Sequence, residues 1–119
     1  MKQTLVIGAS VKPDRYAYKA IKKLLAHQHK VVAISNRAGQ VDEVVFHTDL
    51  PKFEDIDTVT LYLNPMRQKD YYNYIVSLQP RRVIFNPGTE NPELQEILRK
   101  NNIDFEEACT LVLLATNQY

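Results

Sequence analysis

Four short apolar runs recur along the chain with stretches of helical periodicity between them, and this alternation restricts the fold more than any other property of the sequence. The runs are Leu5-Val6-Ile7, Val31 to Ser35, Thr58 to Leu63 and Val83-Ile84-Phe85. The first two are continuous, as strands are when helices cover both faces of a sheet. The third alternates and is rich in β-branched and aromatic residues, which also reads as a strand. After the first run, Ala17, Ala20, Ile21, Leu24 and Leu25 line one side of a helix, with Lys19, Lys22 and Lys23 on the other. Tyr71, Tyr74, Ile75 and Leu78 mark a second helix, closed by Pro80, and Leu94, Ile97 and Leu98 mark a third. Ile103 to Phe105 reads as a last short strand before the apolar segment Leu111 to Leu114, and Val44-Val45-Phe46 as a short extra strand or an extended edge segment.

Strands alternating with helices of this length predict a parallel sheet with right-handed crossovers. The expected architecture is one α/β domain over residues 1–119, a Rossmann-like doubly wound sheet of about five strands with helices on both faces. The expected strand order is 3-2-1-4-5, with its reversal between the first strand and the fourth. Ligands of such sheets sit beyond the carboxyl ends of the strands at the reversal. The segments that follow the strands are therefore the candidate site: Gly8 to Arg15, Asn36-Arg37, Asn64-Pro65-Met66-Arg67 and Asn86-Pro87-Gly88.

The first of these segments is the most informative. A strand that leaves through a glycine into a helix N-terminus aims backbone N–H groups at one spot beyond the sheet, where phosphates bind. Gly8 permits the tight exit, Ala9 and Ser10 keep the loop small, and Lys12 and Arg15 add positive charge. The dinucleotide fingerprint asks for three glycines, and Ser10 and Pro13 stand where the second and third would be. A Ser10 hydroxyl satisfying a loop N–H would equally suit an ordinary α/β turn. The second strand ends in Ser35, Asn36 and Arg37, without the acid that binds unphosphorylated ribose in NAD sites. A guanidinium there suits a phosphorylated ribose, through paired charge-assisted hydrogen bonds. Two common ligands carry such a phosphate beside a pyrophosphate: NADP at the 2′ position and coenzyme A (CoA) at the 3′ position.

Net charge is only +1, but residues 1–41 sum to +7 and residues 42–57 to −5. One local basic region suits a small anionic ligand better than a nucleic-acid backbone, so no nucleic-acid partner is expected. The apolar runs are too short for a membrane span or a signal-peptide core, and Cys109 is the single cysteine, so the expected compartment is the cytoplasm. His27 and His29 are two residues apart and do not share a helix face, and no Cys/His spacing fits a metal. The adjacent acids Glu106-Glu107 and Glu54-Asp55 splay apart rather than form an acid–base pair, and Cys109 beside carboxylates reads as a small buried hydrophobe. No catalytic constellation is found.

With these residues in view, the chain resembles the small stand-alone CoA-binding proteins, relatives of the N-terminal CoA-binding domain of the succinyl-CoA synthetase α subunit. The family's strand–GAS–loop–P-x-R pattern appears as Val6-Ile7-Gly8-Ala9-Ser10 followed by Pro13 and Arg15. Asn36 after the second strand, Gly88 after the fourth and Cys109 after the last match further family positions. The resemblance implies a phosphate loop at Gly8 to Ser10 and an adenosine end near Asn36 and Arg37. The chain departs from the pattern at Arg37, where the family commonly has proline, at His27-Gln28-His29, where it usually has a glycine, and at the exit of the third strand. The expected function is non-enzymatic binding of CoA or an acyl-CoA by Gly8, Ala9, Ser10, Lys12, Arg15, Asn36 and Arg37, with the pantetheine arm passing Asn64, Pro65 and Gly88. The alternatives are an NADP-binding or redox-sensing domain, and a degenerate nucleotide fold that binds a protein partner. Self-association is left open.

Overall fold

The computed structural model describes residues 3–119. Its strands are β1 (Gln3–Ile7), β2 (Lys30–Ile34), β3 (Gln40–Val41), β4 (Val44–His47), β5 (Thr58–Leu61), β6 (Arg82–Phe85) and β7 (Asp104–Glu107). The helices are α1 (Tyr16–Ala26), α2 (Pro65–Gln68), α3 (Tyr72–Leu78), α4 (Pro92–Lys100) and α5 (Thr110–Ala115). One sheet runs in the order β3-β4-β2-β1-β5-β6-β7, parallel except for the antiparallel β3–β4 hairpin.

The sheet divides the core in two because successive side chains of a strand face opposite sides. Leu5 and Ile7 of β1 pack with Tyr74, Ile75 and Leu78 of α3 and Leu94 and Leu98 of α4. Val6, between them, packs with Ala17, Ile21 and Leu24 of α1 and Leu114 of α5. The apolar stripe read from the sequence of α1 is the one buried, with Leu25 partly covered at its margin. Among the described residues no helix is long and apolar enough to cross a membrane.

The doubly wound α/β class is as expected, but the strand count and order are not. Thr58–Leu61 lies beside β1, not outside β2, and the outer position is taken by β4. Burial explains the exchange. Every residue of β5 is buried, which requires a strand on each side and a helix layer on each face, whereas β4 exposes Val45 between buried Val44 and Phe46. No helix crosses from β2 to β4. The chain returns through the two-residue strand β3 and a tight turn at Asp42, whose φ is +50°. The reversal of direction therefore falls between β1 and β5, and their carboxyl ends open a crevice there.

Candidate functional site

Where β1 ends, its exit is fixed by the neighbouring strands. Gly8 has φ +96°, and a Cβ at that position would lie 3.0 Å from Leu63 Cδ2 and 3.1 Å from the Tyr62 carbonyl carbon. Only glycine fits this turn without displacing the Tyr62-Leu63 segment that leaves β5. The amides of Gly8 and Ala9 both donate to the Ile34 carbonyl at 3.0 Å, so the loop is tied to the end of β2. The Ser10 hydroxyl accepts from the Lys12 amide at 3.1 Å, and the Ser35 hydroxyl accepts from the Arg37 amide at 3.2 Å. Each serine closes a small turn that places a cation two residues further on.

Beyond this loop, α1 begins without a cap. Its N-cap residue Arg15 offers no side-chain hydrogen bond, and its first turn carries no acid. Two other strand-following helices contrast with it, while α5 also has no side-chain cap but has its Thr110 amide bonded to Asn86 Oδ1. The Asn64 side chain accepts from the Arg67 amide at the start of α2, and Asn91 accepts from the amides of Glu93 and Leu94 at the start of α4. The amides of Tyr16, Ala17 and Tyr18 find no protein acceptor among the described residues. With the positive end of the helix dipole they form a preformed anion seat.

A cleft of about 430 Å³ lies over this seat. Its floor is Gly8, Ala9 and Ser10, and Arg15, Tyr16 and Ala17 form one wall. Ser35, Arg37 and Ala38 come from the β2 exit, Tyr62, Leu63 and Arg67 from the β5 exit, and Pro87 and Thr89 from the β6 exit. Lys12, Arg15, Arg37 and Arg67 line it and, among the described residues, no carboxylate does. None of these four cations is in an ion pair among the described residues. No group of three His, Cys, Asp or Glu residues is placed to hold a metal ion, again among the described residues.

Gly8, Ala9, Ser10, Lys12, Arg15 and Arg37, singled out from the sequence, are thus brought together. Asn36, Asn64, Pro65 and Gly88 lie beside the cleft, outside its lining. Asn64 is spent on capping α2 and Pro65 occupies the first turn of that helix. Gly88 takes φ +92° in open space, with its amide bonded to Glu90 Oε1 at 2.9 Å. Asn86 is fully engaged inside the protein. Its Nδ2 donates to Thr60 Oγ1 and the Leu61 carbonyl, and its Oδ1 accepts from the Thr110 amide. Arg67 and Tyr62 line the cleft without having been individually expected there. Arg67 is carried in by α2, whose N-terminal signal was the Asn64-Pro65 pair, whereas Tyr62 carried no distinguishing signal in its apolar run.

The far wall is held by one buried amide. Gln68 Nε2 donates at 2.8 Å to the carbonyls of both Leu63 and Thr89, joining the β5 and β6 exits. Gln68 Oε1 accepts from Asn91 Nδ2, which also donates to the Tyr72 hydroxyl. Gln68→Leu keeps the volume but strands two carbonyls and an amide, and is expected to lower stability by about 2–4 kcal/mol in urea denaturation.

A model of the CoA binding domain family matches residues 2–115. The chain belongs to the CoA-binding domain family. Among solved structures, a crystal structure of an uncharacterised protein is 47% identical, with a TM-score of 0.97 over 100% of this chain and 98% of that one. A Thermus thermophilus protein shares the fold at 18% identity and TM-score 0.85, over 99% of this chain and 90% of its own. An acetyl-coenzyme A synthetase 1 of Ca. Korarchaeum cryptofilum, in complex with phosphate and ADP, matches at 15% identity and TM-score 0.72, over 90% of this chain and 25% of that one. No curated protein matches the chain.

Proposed function

We propose that this CoA-binding domain binds coenzyme A, free or acylated, as a recognition module without catalysis of its own. The observation that carries the reading is the N-terminus of α1, without a side-chain cap, facing a cleft that, among the described residues, is lined by four cations outside any ion pair and by no carboxylate. The pyrophosphate takes the open amides of α1 and the charges of Lys12 and Arg15. Arg37, held by the Ser35 turn at the end of β2, takes the 3′-phosphate of the ribose. Asn36 borders the adenosine end, and the pantetheine arm leaves past the Asn64-Pro65 and Gly88 turns.

This assignment is tested by calorimetric titration with CoA, dephospho-CoA, NADP and NAD. CoA is expected to bind about 10- to 100-fold more tightly than dephospho-CoA, the ratio that a charge-assisted hydrogen-bond pair supplies. NAD, which lacks a ribose phosphate, is expected to bind weakly. Equal affinities for CoA and dephospho-CoA would remove Arg37 from the site. Tighter binding of NADP than of CoA would replace the reading altogether.

A further inference from the structure

A second cavity, of about 180 Å³, is lined by Tyr16, Tyr62, Asn86, Pro87, Cys109 and Leu111. Tyr16, Tyr62 and Pro87 also line the phosphate cleft, so the two spaces adjoin, and the second lies away from Arg37. Its walls have little polarity to offer a ligand. Asn86 has both ends of its amide bonded within the protein. The Tyr62 hydroxyl oxygen is buried beside the Thr60 and Thr110 hydroxyls. The nearby Thr60 and Thr110 hydroxyls are bonded to each other at 2.8 Å. Burial pushes the Tyr62 phenol up to about 12, so the wall stays uncharged at neutral pH. A charged or strongly hydrated group gains nothing there, whereas an apolar segment tethered in the neighbouring cleft does.

We infer that this annex receives the thioester end of a short-chain acyl-CoA, which makes the acylated form the preferred ligand of the site. The inference rests on the proposed CoA reading of the cleft. At about 30 Å³ per non-hydrogen atom, the volume that a water molecule takes in the liquid, the annex holds about six such atoms. Those are the sulfur and carbonyl of a thioester and a tail of three carbons, which is a butyryl group. A longer tail finds the space filled and returns to solvent.

Titration of the full chain with CoA, acetyl-CoA, butyryl-CoA and octanoyl-CoA tests this. Each buried methylene is worth about fourfold in affinity, so butyryl-CoA, with two more than acetyl-CoA, is expected to bind about 15-fold more tightly. Octanoyl-CoA is expected to gain nothing more. Leu111 lines the annex, so Leu111→Trp is expected to erase the butyryl advantage and bring butyryl-CoA down to the affinity of CoA for the same variant. Should that variant melt early, Leu111→Ala enlarges the space and is expected to move the optimum to longer chains. Cys109, the single cysteine, reports occupancy directly. Its alkylation by iodoacetamide is expected to slow several-fold more with butyryl-CoA than with CoA. Butyryl-CoA binding no tighter than CoA, with equal protection of Cys109, would overturn the acyl assignment and leave the cleft reading standing. Failure of CoA and every acyl-CoA to bind would overturn both.

Discussion

Gly8→Val is expected to remove about 2–6 kcal/mol of stability, among the largest losses from any single change in the site. Two costs add. The φ of +96° lies where a β-branched residue is an outlier, a strain on the order of 1–3 kcal/mol. The new Cβ would also stand 3.0 Å from Leu63 Cδ2, 3.1 Å from Leu63 Cγ and 3.1 Å from backbone of Tyr62. Leu63 is buried and its carbonyl is held by Gln68, so it has little room to retreat. Overpacking of this kind costs about 1–3 kcal/mol more. Against a total stability on the order of 5–15 kcal/mol, much of the margin would be gone. Thermal and urea unfolding of the valine and alanine variants check this, with alanine expected to lose less. A valine variant as stable as the parent would show that the turn relaxes without β5, contrary to the contacts described.

Ser10→Asp is expected to abolish CoA binding while leaving the fold nearly as stable as before. Aspartate reproduces the acceptor that the serine hydroxyl offers to the Lys12 amide, so the turn keeps its hydrogen bond. What changes is a full negative charge on the floor of the cleft, at the proposed pyrophosphate position. Like charges brought together in a partly enclosed site repel strongly, and Lys12 and Arg15 would be drawn to the new carboxylate instead of the ligand. Ser10→Asn is the control, since it keeps the acceptor without the charge, and is expected to retain most of the affinity. The pair separates charge from shape. If Ser10→Asp binds CoA as the parent does, the ligand does not use this loop. If both variants unfold, the serine serves the turn alone.

The sequence made the central strand and its helix legible because their signals are local. Leu5 to Ile7 is continuous, the α1 stripe repeats at helical spacing, and the glycine between them has one conformational reason to be there. Lys12, Arg15 and Arg37 followed from their places directly after strands. The order of the sheet was less legible, because which strand lies beside which is decided by burial of whole faces. Val44 to Phe46 and Thr58 to Leu63 look alike as short β-branched runs, and the exposure of Val45 separates the peripheral strand from the central one. One-turn elements escaped for a related reason. Pro65–Gln68 is too short to show any period, so Asn64 and Pro65 read as ligand contacts although Asn64 caps a helix and Pro65 begins it. Gln68 and Asn91, polar residues in polar stretches, carried no sign that they are buried together.

The tie between the two amides and the Ile34 carbonyl has a bearing on how fast a ligand is captured. One side of the cleft is locked to β2 through Gly8 and Ala9, and the other is locked across β5 and β6 through Gln68. Neither side has to become ordered when a ligand arrives, so little chain entropy is lost at the moment of encounter. Association then proceeds without a folding step to wait for, and the lifetime of the complex depends on how readily its contacts let go.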